Sequence, residues 1–259
     1  MRKISSSLAD KTVLTLRAIG QSDELRDEII KRGGHVISVP LLSFVEPTGS
    51  VKQTTLETLR EIDSFDWLVF TSKNGVLFTF QMLQELGLQL SSKTKIAVIG
   101  SKTAECLETF GKKADFTPSS FVAEIFVIEF LHMIQPNERV LICKGNLARD
   151  MIATALVEND VSITEVIVYD NVRPKNAVSD LVKALRSDTI DIIIFTSPSS
   201  VAGFMDIVTN TPLLAYVENC MIVSIGPITT KCIHSYGLSA YMTAEEFTAN
   251  GIVRVLEKE

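Results

Sequence analysis

The sequence predicts an α/β protein of two similar lobes, each a parallel sheet flanked by helices. Three observations lead there. Short, nearly all-apolar runs alternate with amphipathic stretches along the whole chain, an internal repeat recurs at a shift of about 126 residues, and the length is 259 residues. That length exceeds one typical domain of roughly 100–150 residues and suits two.

The runs lie at residues 12–16, 67–70, 96–99, 140–143, 190–195 and 221–225. Four to six almost purely apolar residues in a row are what a strand buried on both faces of a parallel sheet requires. A polar punctuation mark and then a helix-period segment follow each run, so the units read as βαβ. After the first run, residues 23–32 put Leu25, Ile29 and Ile30 on one stripe, and Gly33-Gly34 stops the helix as a C-terminal cap does. The later marks are Thr71-Ser72-Lys73-Asn74-Gly75, Gly100-Ser101-Lys102-Thr103, Lys144-Gly145-Asn146, Thr196-Ser197-Pro198-Ser199-Ser200 and Gly226-Pro227-Ile228-Thr229-Thr230.

The repeat is collinear. Phe65-Asp66-Trp67-Leu68-Val69-Phe70-Thr71-Ser72 returns 125 residues later as Ile190-Asp191-Ile192-Ile193-Ile194-Phe195-Thr196-Ser197. A shift of 126 pairs Ile99-Gly100 with Ile225-Gly226, Thr103 with Thr229, Cys106 with Cys232, Gly111 with Gly237, Phe121 with Phe247 and Ala123 with Ala249. A fainter echo at 127 pairs Val13-Leu14 with Val140-Leu141. Matched glycines and threonines in one order mean two copies of one unit, and two such lobes leave a cleft where a ligand is expected.

Composition bounds the function. Charged residues are 22% and apolar residues 46%, which excludes a disordered or coiled-coil chain. Lys and Arg number 25 against 31 Asp and Glu, a net charge of −6 with no basic stripe, so nucleic acid is not an expected partner. Residues 1–10 lack the apolar core of a leader, and no run approaches 18 apolar residues, so neither export nor a membrane span is expected. The four cysteines form no C-x-x-C pair and no zinc pattern with histidine, which fits reduced, structural thiols and a cytoplasmic location.

Helix starts at the carboxyl ends of parallel strands carry free N–H groups and the positive end of the helix dipole, so they bind anions without a basic protein. Taken singly, each Ser, Thr or Asn here is a plain helix cap. Five such starts on one face of two lobes point to a ligand with many negative groups. The candidate binding residues are Thr71, Ser72, Asn74, Thr103, Lys144, Ser197, Ser199, Ser200 and Thr229. Arg17 and Arg149 join them because a guanidinium grips a carboxylate bidentately, although an ordinary surface arginine reads the same. The sequence has no G-x-S-x-G elbow, no Walker loop, no G-x-G-x-x-G and no H-E-x-x-H. His35, His132 and His234 read as structural. Tyr169 closes the run 163–168 ahead of Asp170-Asn171-Val172-Arg173-Pro174, where it is either an edge-strand aromatic or a hydroxyl presented for chemistry.

With these residues in order, the chain resembles the uroporphyrinogen-III synthase family. The resemblance rests on Phe70-Thr71-Ser72-x-Asn74-Gly75-Val76, Ile99-Gly100-x-x-Thr103-Ala104, Pro118 with Ala123-Glu124, and Gly145 through Arg149-Asp150. It continues through Val168-Tyr169 with Pro174, Phe195-Thr196-Ser197-Pro198-Ser199-Ser200-Val201 and Ile225-Gly226-Pro227-x-Thr229-Thr230. It implies two α/β lobes joined by a two-stranded connector, with one lobe at 1–38 plus 172–259 and the other at 41–168. The repeat alone would cut the chain once, near 135; the pieces 36–45 and 163–172 would pair as the connector.

The implied reaction closes linear hydroxymethylbilane, which carries eight carboxylates, into uroporphyrinogen III with loss of water and inversion of ring D. It implies Tyr169 as the catalytic hydroxyl, and Thr103, Ser197 and Thr229 as hydroxyls lining the cleft. No metal, no cofactor and a monomer are expected. The rival reading is a non-enzymatic two-lobed binding protein for a small anion.

Overall fold

The computed structural model describes residues 8–17, 23–209 and 211–258; the first seven residues, part of the stretch read above for a leader, lie outside them. In chain order the elements begin with β1 (Thr12–Thr15), α1 (Asp23–Lys31), β2 (His35–Ser38), β3 (Ser43–Val45), α2 (Gly49–Arg60), β4 (Trp67–Phe70), α3 (Lys73–Glu85) and β5 (Lys95–Val98). Next come α4 (Ser101–Glu108), α5 (Ala123–Leu131), β6 (Arg139–Gly145), α6 (Met151–Glu158), β7 (Ser162–Val172), α7 (Ala177–Arg186) and β8 (Ile192–Phe195). The last are α8 (Pro198–Val208), α9 (Leu214–Val217), β9 (Met221–Ser224), α10 (Pro227–Ser235), β10 (Met242–Thr243) and α11 (Ala249–Glu257). The chain divides into two compact units, Met1–Ser43 with Val172–Glu259, and Phe44–Asn171.

Each sheet has five strands, in the orders β10-β9-β8-β1-β2 and β3-β7-β6-β4-β5. Register is parallel where β1 meets β2 and β8, where β9 meets β8 and β10, and where β6 meets β4 and β7. The repeat explains the architecture. Equating β4 with β8, β5 with β9, β6 with β1 and β7 with β2 makes the spatial orders coincide. The Ala97–Phe116 bridge stands where β10 adds to β9. In chain order the first unit is a circular permutation of the second, because its β1 and β2 precede the copies of β4 and β5. That is why a single cut near 135 fails and the chain must leave one unit and return.

Strand alternation feeds two apolar layers in each unit. In the second unit Leu68 and Phe70 face a layer with Leu59, Val76 and Leu107 from α2, α3 and α4, while Trp67 and Val69 face Phe126, Phe130 and Ile152 from α5 and α6. In the first, Ile193 and Phe195 join Leu181, Val201 and Ile233 from α7, α8 and α10, and Val13 and Ile194 join Ile29 and Ile252 from α1 and α11. With both faces covered, β4, β8 and β9 are buried at every residue, which is why they read as pure apolar runs.

Segment 36–45 is not one strand. It splits into β2, paired with β1, and β3, which neighbours β7 in the other sheet, so the connector pairing expected of 36–45 with 163–172 holds for β3 alone. Pro40 between them has no N–H to continue a ladder, although Val39 and Leu41 still donate to Thr15 and Leu16.

Trp67 shows how the second sheet is tied at its amino end. Its Nε1–H donates to Glu138 Oε2 at 2.8 Å, Lys95 Nζ donates to Glu138 Oε1 at 2.6 Å, and the same ammonium lies 4.8 Å from the indole centroid. Burial works to raise the Glu138 carboxyl, but the Gln135 N–H, Lys95 and Trp67 donors together hold it below the ordinary carboxylate value. A carboxyl depressed by folding stabilises the protein above the ordinary carboxylate range and loses that contribution as pH falls through its folded value. Glu138→Gln is therefore expected to cost about 1 kcal/mol near neutral pH and progressively less under acid conditions. Urea melts at pH about 7 and 3 check it, and an equal loss at both would remove the charge from the account.

Candidate active site

A doubly wound sheet opens a crevice where neighbouring strands send their helices to opposite faces. In the second unit β4 leads to α3 on one face and β6 leads to α6 on the other, so the crevice lies at the carboxyl ends of β4 and β6. Ser72, extended at φ −154°, caps α3 there, and its Oγ accepts the Gly75 N–H at 3.1 Å. Gly75 brings α3 close to β6: a Cβ on it would lie 3.0 Å from the Cys143 carbonyl oxygen. Thr71 and Asn74 flank the cap and are half-buried.

Tyr169 reaches the same place from β7. Its ring stacks on Phe78 at 5.6 Å and 26° and meets Phe44 edge-on at 5.7 Å and 73°, leaving the residue 8% exposed. Its hydroxyl lies 3.2 Å from Ser72 Oγ. Tyr169 is thus neither a strand-end nor an edge residue: β7 runs on to Val172 and stands between β3 and β6. A register shift at Lys144/Gly145 sets Gly145 opposite Tyr169, and a Cβ on Gly145 would fall 2.5 Å from the phenol ring.

The loop after β6 closes the wall. The Asn146 N–H donates to the Tyr169 carbonyl oxygen at 3.1 Å, and Asn146 Oδ1 accepts from the Asn171 backbone N–H at 2.8 Å and from Asn171 Nδ2 at 3.0 Å. Lys144 Nζ pairs with Asp150 at 2.7 Å and Glu165 at 2.6 Å. Burial works to lower the ammonium, but the two carboxylates more than offset it and hold the group above its ordinary value. Its charge is persistent and already met by two acids. Arg149 is exposed in this loop, and Thr103, in the first turn of α4, is buried.

In the first unit the matching crevice lies at the ends of β8 and β1. Ser197 and Ser200 form a capping box, Ser197 Oγ accepting from the Ser200 N–H at 3.1 Å and Ser200 Oγ from the Ser197 N–H at 3.3 Å, with Ser199 Oγ 3.0 Å from Ser197 Oγ. Arg17, just past β1, is half-buried; burial lowers its pKa and Glu24 works against that. Thr229 is buried in the first turn of α10. Each unit therefore gathers its own set: Ser72 with Tyr169 in one, and the three serines in the other.

The family model described as "Uroporphyrinogen-III synthase HemD" matches residues 8–254. This chain belongs to the uroporphyrinogen-III synthase family. The uroporphyrinogen-III synthase of Synechococcus elongatus is 30% identical over 256 residues, 97% of this chain and 96% of that protein. That of Chlorobaculum parvum is 24% identical over 95% of this chain and 98% of its own length. The porphyrin biosynthesis protein HemD of Ruminiclostridium josui is 29% identical, and the matched region spans 47% of its length. Among solved structures, a mutant uroporphyrinogen III synthase of Thermus thermophilus superposes with a TM-score of 0.65 at 16% identity, covering 96% of this chain and 100% of its own. The Helicobacter pylori enzyme superposes at 0.56 with 20% identity, covering 94% and 97%.

The contacts that bring some of these residues together were not legible in the sequence. Asn146 and Gly145 matter only through their contact with β7, which no local pattern announces. A hydroxyl cluster at the end of β9 was also missed: Thr230 Oγ1 lies 2.5 Å from Ser224 Oγ and 2.7 Å from Thr243 Oγ1. In the sequence Ser224 is the polar residue inside the run 221–225 and Thr230 ends the mark after it, but nothing there joins them to Thr243. Among the described residues no His, Cys, Asp and Glu cluster is placed to hold a metal ion, and the cysteines are unpaired. Burial pushes the Cys143 thiol up to about 12, which keeps it protonated and unreactive. No helix among the described residues is long and apolar enough to cross a membrane.

Proposed function

We propose that this chain closes hydroxymethylbilane into uroporphyrinogen III, with inversion of ring D and loss of one water, and that Tyr169 is its catalytic hydroxyl. As a member of its family it is a carbon–oxygen lyase of tetrapyrrole biosynthesis. The observation that carries the role of Tyr169 is its hydroxyl beside Ser72 Oγ, at the crevice end of the second sheet.

The chemistry needs a proton at one atom. As the terminal C–O bond breaks, the phenol gives its proton to the departing hydroxyl, which leaves as water, and the pyrrole left behind, still carrying its N–H, is an electrophilic azafulvenium cation beside the phenolate. The last ring attacks it through the carbon that already carries its bridge, forming the spiro intermediate. That intermediate reopens and recloses with ring D turned over, and the proton lost on rearomatisation restores the phenol. The phenol's proton supplies on the order of 10–1,000-fold; the rest comes from holding the chain in a closing geometry.

Carboxylates of the substrate are assigned to the helix starts: Thr71, Asn74 and Thr103 in one unit, and Ser197, Ser199, Ser200 and Thr229 in the other. Arg17 and Arg149 add guanidinium forks. Lys144, met by two acids, serves this reading by fixing the loop that carries Asn146 and Arg149. A monomeric cytoplasmic enzyme acting on this free small molecule, without metal or cofactor, completes the proposal. The rival reading, a binding protein without chemistry, has no support from the family match.

The test is to incubate the protein with freshly generated hydroxymethylbilane and separate the products by chromatography. The type III isomer is expected. The spontaneous type I isomer alone would overturn the activity.

A further inference from the structure

We infer that Ser72 is a positioning residue that fixes the direction of the Tyr169 proton, rather than a ligand for substrate carboxylates. The inference rests on the proposed role of Tyr169. A proton donor must present its O–H to the substrate, and a phenol with a better acceptor nearby points its proton there instead. Among the described residues Ser72 Oγ is the hydrogen-bond partner of Tyr169 Oη, at 3.2 Å, and either oxygen could donate. The tie is broken by Gly75. Its N–H, one of the free amides at the start of α3, donates to Ser72 Oγ at 3.1 Å and occupies a lone pair there. An oxygen that already accepts is a poorer second acceptor and a better donor. The Ser72 proton therefore goes to Tyr169 Oη, and the phenol keeps its own proton free.

The repeat supplies an internal comparison. Ser197 follows the same Phe-Thr motif, caps its helix in the same way and accepts from the Ser200 N–H at 3.1 Å. Its Oγ faces Ser199 Oγ at 3.0 Å instead of a phenol. Ser197 therefore has the cap without the phenol. At Ser72 the same cap also meets a buried aromatic hydroxyl wedged between Phe44 and Phe78, so the second unit is the specialised copy.

Four variants of the full chain test this: Ser72→Gly, Ser72→Thr, Tyr169→Phe and the Ser72→Gly/Tyr169→Phe double variant. Glycine starts a helix nearly as well as serine but has no hydroxyl, so Ser72→Gly removes the proton and leaves the cap's stability close to intact. Ser72→Gly is expected to lower kcat about tenfold, the worth of one hydrogen bond, with KM unchanged. Ser72→Thr, which keeps a hydroxyl, is expected to restore kcat. The double variant is expected to be no slower than Tyr169→Phe alone, because the serine acts through the phenol.

Wild-type kcat in Ser72→Gly beside an impaired Tyr169→Phe would overturn the inference and leave the tyrosine's role standing. A raised KM with kcat unchanged would make Ser72 a carboxylate ligand, and losses that multiply in the double variant would make it an independent contributor; either overturns the positioning role. Full activity in Tyr169→Phe would remove the tyrosine's role and this inference with it.

Discussion

Tyr169→Phe is expected to lower kcat on the order of 10–1,000-fold while the protein stays folded. Only the hydroxyl is lost. The ring keeps its stack on Phe78 and its edge contact with Phe44, which together hold this part of β7 in the core. Leaving-group protonation is an interaction made in the transition state, so the effect belongs in kcat rather than KM. No single substitution at His35, His132 or His234 is expected to match it. The His132 ring lies within hydrogen-bond distance of its own helix, Nδ1 being 2.7 Å from the Ile128 carbonyl oxygen, and the other two histidines belong to the other compact unit. Steady-state rates beside far-ultraviolet circular dichroism check the result. Full activity would leave catalysis to positioning and backbone dipoles.

Gly145→Ala is expected to match that loss by a different route. The added methyl would sit 2.5 Å from two ring carbons of Tyr169 and 2.8 Å from its hydroxyl oxygen. Phe44 and Phe78 bracket the ring, so it cannot swing away cheaply. Overpacking of this kind costs about 1–3 kcal/mol of stability. Any displacement of the phenol by about 1 Å costs on the order of a hundredfold in rate, since proton transfer needs its donor at hydrogen-bond distance. Urea melts and turnover measured on one preparation separate the two effects. An alanine variant with native stability and rate would mean that the ring yields freely and that the glycine is incidental.

The two predictions differ in how readable they were from sequence, and the reason is physical. Six strands stood out because burial on both faces forces continuous apolar runs, as in Trp67-Leu68-Val69-Phe70 and Ile192-Ile193-Ile194-Phe195. The run 67–70 is β4 itself, while three others ran one residue too far because Leu16, Ile99 and Ile225 are apolar but follow the last residue of their strands. Strands β2, β3 and β10 are two to four residues long with intermediate or exposed positions, and β7 mixes exposed Ser162 and Glu165 with buried Val166 and Val168, so their composition marks no period. The repeat compensated, since it showed two copies of one unit. It could not show the permutation, which depends on which strands pair.

The site divides the same way. Tyr169 was visible as a polar aromatic after an apolar run, whereas its partners are Ser72, 97 residues back, with Phe44, Phe78 and Gly145. Ser72 and Ser197 share one motif and one capping geometry, and only the packing around them separates a plain cap from a hydroxyl pair. Lys144 looked like a free cation after a strand. Asp150 and Glu165 close on it only once β6 and β7 lie side by side.

On the proposed mechanism the Tyr169 hydroxyl lets this chain direct ring closure to the inverted isomer. Hydroxymethylbilane also closes on its own to the type I isomer, so the two products compete in one tube and their ratio reports the enzyme's share. The decisive measurement is the type III to type I ratio from a fixed amount of hydroxymethylbilane as wild-type protein or Tyr169→Phe is titrated in, with a chelator present. The wild-type ratio is predicted to climb steeply with protein, and the variant's to climb only at 10–1,000-fold higher concentration, on the order of its rate loss. Type I product alone at every wild-type concentration, or two superimposable curves, would contradict the account.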